Sequence, residues 1–150
     1  VPAPGWAAAV RAHMRDRPDA AGYFRLEFDA PGLAPRLVAG WANLRARLFA
    51  LPYGDQGLVM ARGVCAAAGG IPKIPLMEDV ALARRLGRRR LAPIAAAART
   101  SASRYLAEGW LRRGARNLWT LARYAMGAPP ERLARGYRRA DQSADRRSRS

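Results

Sequence analysis

"AGYFRLEFDA", residues 21–30, runs into "PGLAPRLVAGWANLRARLFA", residues 31–50, and the hydrophobic period changes between them. In the first stretch Tyr23, Arg25 and Glu27 alternate with Phe24, Leu26 and Phe28. A period of two predicts a strand with one buried face. After the Pro31-Gly32 turn the spacing is helical. Leu37, Trp41, Leu44 and Leu48 fall on one stripe of a helix expected over residues 34–50. A strand feeding an amphipathic helix places the chain in the layered α/β class.

Upstream, Trp6, Val10 and Met14 recur every fourth residue and predict a helix over 5–17, stopped by Pro18. His13 lies on that helix and is expected to be solvated. As the only histidine, it leaves little basis for a Ser-His-Asp triad or a His/Cys zinc site. Downstream, "LPYGDQG" (51–57) reads as a loop and "LVMAR" (58–62) as a short strand. "GVCAAAGG" (63–70) reads as a short helix ended by Gly69 and Gly70. "IPKIP" (71–75) keeps the backbone extended, and a helix is expected over Met77–Arg90. A strand over 91–97, helical pattern over 103–127 and a short helix near 132–138 follow, with a disordered basic tail over 139–150. Three or four strands are few for a complete sheet. With the abrupt opening "VPAPGW", this leads us to expect part of a larger fold.

At 150 residues, half of them apolar, the chain has the length and composition of one globular domain. No window approaches the ~18 uncharged apolar residues of a membrane span. Cys65 is the single cysteine, which excludes an intrachain disulfide and fits a reducing, cytoplasmic setting. The net charge of +16 suggests a basic module for nucleic acid or a membrane surface as the alternative function. Every basic residue except Lys73 is arginine, and alanine is abundant. That bias fits GC-rich coding, so sequence-specific nucleic-acid binding is not expected. "WLRRGARNLWTLARYAMG" (110–127) mixes Trp110, Leu118 and Trp119 with Arg112, Arg113, Arg116 and Arg123. It reads either as a helix packed with its arginines in water or as one lying on an anionic membrane face.

Glu78 and Asp79, in "IPLMEDVALARRL" (74–86), stand side by side at a helix start. Acids there interact well with the helix dipole, by ~0.3–1 kcal/mol each, and local pattern alone favours that role. Neither has a cation three or four residues on: the positions hold Ala81, Leu82 and Ala83. A carboxylate without such a partner, on a helix anchored by Pro72 and Pro75, is also suited to act as a general base.

The run "YGDQGLVMARGVCAAAGGIPKIPLMEDVALARRL" (53–86) resembles the second half of the catalytic domain of family 2 glycosyltransferases. The marks are a strand ending in arginine, a short helix, Gly-Gly before an apolar residue and proline, and Glu-Asp opening a helix with Arg85-Leu86. "YGDQG" (53–57) and "PLMEDV" (75–80) are similar to the bacterial radical-SAM/selenodomain-associated transferases, and the likeness covers about residues 4–137. The resemblance implies a nucleotide-diphospho-sugar transferase fold, a Rossmann-like α/β/α sandwich. It implies inverting transfer of a hexosyl-type sugar from a nucleotide-sugar donor to an acceptor hydroxyl. Asp79 matches the catalytic base, with Glu78 beside it. The family holds Mg²⁺ or Mn²⁺ with an Asp-X-Asp motif just before a "PxGW"-like segment, and this chain opens with "PAPGW" and has no such motif. The nucleotide-binding half is therefore expected to lie elsewhere, and this polypeptide alone to be inactive.

Asp55 and Gln56 read locally either as a plain turn or as a loop placed for binding. The resemblance assigns them contacts to sugar or acceptor hydroxyls. Arg104 is locally a solvated helix residue; by resemblance it approaches the donor diphosphate. Met60 and Met77 are expected in the core. A lipid-linked acceptor would suit peripheral contact with the inner face of the plasma membrane.

Overall fold

The computed structural model describes residues 2–147, and side chains as far as residue 138. In chain order the elements are α1 (Trp6–Asp16), β1 (Ala21–Phe28), α2 (Leu33–Phe49), β2 (Leu58–Val59), α3 (Arg62–Ala67), α4 (Glu78–Leu86), β3 (Leu91–Thr100), α5 (Ser103–Glu108), α6 (Trp110–Ala125) and α7 (Pro130–Arg147). The architecture is mixed α/β, with a three-stranded sheet in the order β2-β1-β3. The chain divides into two compact units: residues up to Pro72 with Asp79–Ser101, and Lys73–Glu78 with residues from Ala102 onward.

In the first unit β1 is central. It pairs parallel with β3 from Ala21↔Leu91 to Phe28↔Thr100, and antiparallel with β2 at Gly22↔Val59 and Tyr23↔Leu58 alone. A central strand is covered on both faces, so Tyr23 and Phe24 are both buried. This corrects the single buried face read from the alternation. Tyr23 joins a cluster with Ala46, Ala50, Leu82 and Leu86, against which Met60 packs. Phe24 joins Ile94 and Ala98, with Ala9 and Val10 of α1 against them.

α2 forms where expected but turns the other way. Ala39, Ala42 and Ala46 face inward, whereas Leu37 is 72% exposed and Trp41 50%. The buried side of α2 also carries Pro35 and Arg45, so the leucine stripe does not decide which side of the helix is inside. His13 is also a correction. It is buried, and its Nε2 lies 3.1 Å from the Ala20 carbonyl oxygen at the entry to β1. The ring packs against the bare Cα of Gly22. A Cβ there would stand 2.6 Å from Ile94 and 3.0 Å from His13.

α4 begins at Glu78, one residue later than expected, because Met77 is left-handed (φ 68°) and cannot continue a right-handed helix. Met77 is buried, as expected of it. β3 runs on to Thr100, three residues past its expected end.

In the second unit the helical pattern over 103–127 is broken in two by Gly109 (φ 87°). The core between α5, α6 and α7 is polar as well as apolar. Tyr105 stacks on Trp110 with centroids 4.8 Å apart. The Glu108 carboxylate accepts from Arg113 and, at 2.6 Å, pairs with Arg116. Arg113 also donates to the Tyr137 hydroxyl at 3.1 Å. Arg113 is therefore not in water, as the sequence suggested for the α6 arginines, while Leu111 and Trp119 are exposed. The α7 backbone is helical to Arg147, over most of the segment expected to be a disordered tail. Residues 138–147 contain no Gly or Pro to interrupt it. Positions 148–150 of that tail lie outside the described residues.

Candidate functional site

The site is built on the edge of β1 that its short neighbour leaves open. Beyond the two residues paired with β2, the peptide groups of Phe24 and Leu26 need other partners. Side-chain amides supply them. Asn43 of α2 accepts from Leu26 N–H at 2.8 Å and donates to the Leu26 carbonyl at 3.1 Å. The Gln56 amide donates to the Phe24 carbonyl at 3.3 Å and to Asn43 Oδ1 at 3.2 Å.

Gln56 is fully buried, and its remaining oxygen accepts from Tyr53 N–H at 3.3 Å. With its amide bonded to these three partners, it positions the turn. The turn it anchors is a single 3₁₀ turn, Gly54–Gln56. Beneath it the Arg45 guanidinium, itself buried, lies 3.6 Å from the Tyr53 ring centroid. Its Nε donates to the Leu51 carbonyl at 3.2 Å.

This turn meets the start of α4. Gly54 N–H donates to Asp79 Oδ2, and Val80 N–H donates to Asp79 Oδ1 at 2.7 Å. The approach is close: a Cβ on Gly54 would stand 3.3 Å from that carboxylate oxygen. Asp55, next in the turn, is near enough to Asp79 to feel its charge. Crowding by protein around its carboxyl raises the Asp55 pKa, and the Asp79 carboxylate raises it further. Arg45 and the backbone N–H groups of Asp55 and Gln56 oppose the shift. Asp55 is exposed as a residue, and two carboxylates in one loop-and-helix corner disfavour double ionisation.

Asp55, Gln56 and Asp79 lie together in this corner. Glu78 is exposed at the first position of α4, and Arg104 is exposed on α5 in the second unit. Asn43, Arg45 and Tyr53 were not anticipated. Their signal lay beside the small residues of α2: Asn43 and Arg45 flank the Ala39, Ala42, Ala46 face, which the eye passes over in favour of leucine. Among the described residues no three His, Cys, Asp or Glu side chains converge to hold a metal ion.

Comparison with known proteins returned no matching family model, no matching curated protein and no matching solved structure.

Proposed function

We propose that the chain is the acceptor-side part of an inverting glycosyltransferase, with Asp79 as general base. The observation that carries this reading is the Gly54 N–H donated to Asp79, which holds the carboxylate in place beside Asp55. An acceptor hydroxyl lying against Asp79 loses its proton to the carboxylate as its oxygen bonds to the anomeric carbon. The bond from that carbon to the diphosphate breaks, and the diphosphate leaves with the electron pair. Asp55 presents a hydrogen-bonding group to a sugar or acceptor hydroxyl, and Glu78 adds negative charge at the same helix start. Arg104 would meet the donor diphosphate. On this reading the nucleotide and any metal would be held by residues other than those described, and the chain alone is expected to be inactive.

The test uses a polypeptide that joins this chain to a nucleotide-binding half. Asp79→Asn should leave folding near normal and lower sugar transfer by about 10²–10⁴-fold, the usual cost of removing a general base. Transfer retained in Asp79→Asn would overturn the assignment.

A second reading, contact with a membrane surface, is favoured by one observation. α6 exposes Leu111, Leu118 and Trp119, with Arg112 and Arg123 exposed on the same helix. Sedimentation with anionic but not neutral vesicles, abolished by Trp119→Ser, supports it. Equal sedimentation of the variant counts against it. No described helix is long and apolar enough to cross a membrane.

A further inference from the structure

Away from the Asp55–Asp79 corner, the first unit contains a cleft of about 440 Å³ between α2 and the sheet. Its wall is β3 from Pro93 to Ala97, and the other sides are Tyr23 and Arg25 of β1 with Asn43 and Arg47 of α2. The volume is within the ordinary range for a small-molecule site. The charge is one-sided: two arginines line the cleft and no carboxylate does. Their situations differ. Arg25 is paired with Glu27 at 2.5 Å, and Glu27 lies 3.8 Å from Arg99 as well. Arg47 has no carboxylate within ion-pair distance among the described residues, and its charge is felt by the Tyr23 phenol.

Neither the general base nor the amides that hold the Gly54–Gln56 turn require a cation at position 47. Two guanidinium groups on separate elements, over a floor of Pro93, Ala95 and Ala97, form a receptor for an oxyanion with a compact apolar body. Guanidinium supplies paired donors suited to phosphate or carboxylate oxygens. We propose that this cleft binds a small anion bearing a phosphate or carboxylate group, held by Arg47 and Arg25, with its body against β3. The site is independent of sugar transfer and is tested by binding alone.

The experiment is calorimetric titration of the whole chain with inorganic pyrophosphate and, separately, with succinate. The parent should bind at least one probe saturably at one site, and whichever binds more tightly identifies the oxyanion. Arg47→Gln should weaken binding by at least about tenfold, the size of one lost hydrogen bond to a charged group. Ala95→Trp, at an exposed position on the cleft wall, should weaken it comparably by filling the space. Arg84→Gln, on the exposed side of α4 outside the cleft, should leave it within about twofold. Thermal melts of each variant establish that the fold is retained. Absence of saturable binding by either probe would overturn the proposal. So would an equal loss in Arg84→Gln, because the anion would then be answering the net charge of +16 rather than a site.

Discussion

The Asn43 side chain grips the Leu26 peptide at both ends, accepting from its N–H at 2.8 Å and donating to its carbonyl at 3.1 Å. One carboxamide thereby stands in for a strand that β2 is too short to provide. It also receives the Gln56 amide, so it joins β1, α2 and the Gly54–Gln56 turn.

Asn43→Leu is expected to lower stability by about 2–4 kcal/mol. It leaves the Leu26 N–H and carbonyl without partners, and a buried unsatisfied group costs roughly 1–3 kcal/mol. Urea unfolding of the purified chain measures this. A loss below about 0.5 kcal/mol would mean that water replaces the amide at no cost.

The inverted face of α2 makes a paired prediction. Ala46→Leu adds bulk where exposure is 1% and should cost about 1–3 kcal/mol by overpacking. Leu37→Gln changes a residue that is 72% exposed and should stay within about 0.5 kcal/mol. The reverse ranking in denaturant midpoints would return the leucine stripe to the core.

Asp55 holds its proton more tightly in the folded chain than in the unfolded one. Protonation therefore favours the fold. Stability falls as pH rises from the ordinary carboxylate range through the raised pKa, and remains lower above it. Asp55→Asn cannot ionise and escapes that loss. Its urea midpoint should exceed the parent's at neutral pH, with the difference closing as pH falls into the ordinary carboxylate range. A variant less stable than the parent at neutral pH would mean that attraction to Arg45 outweighs the crowding.

In the second unit Glu108→Ala should cost about 3–5 kcal/mol, because it leaves the Arg113 guanidinium buried without its counter-charge. Leu106→Gln on the same helix is 65% exposed and serves as the control, with a change within about 0.5 kcal/mol. Loss of helical circular dichroism at lower denaturant in Glu108→Ala, and not in Leu106→Gln, is the expected result.

What could be read from the chain differs by the kind of signal. Element positions followed from period and punctuation: β1, α1 and α3 lie where alternation, spacing and the glycine pair put them. The inward face of α2 did not follow, because hydropathy ranks leucine above alanine, whereas Ala39, Ala42 and Ala46 are the residues that the fold buries. His13 was read as solvated because a lone polar residue on a short helix carries no mark of the Ala20 carbonyl seven residues away. At the site, Asp55 and Asp79 were singled out through the segments 53–57 and 75–80, and the fold places them near each other. The supporting Asn43 and Arg45 were not. Their roles depend on partners at Leu26, Leu51 and Tyr53 that only the folded chain brings near.

The outward Leu37, Trp41 and Leu48 of α2 set up a contest between two forces with different responses to electrolyte. At low ionic strength, copies carrying +16 repel one another over a Debye length of ~30 Å, which keeps these side chains apart. Near molar salt that length shrinks to ~3 Å, while attraction between apolar side chains persists. Dilute buffer is thus the medium that keeps this chain dispersed, and electrolyte works against it.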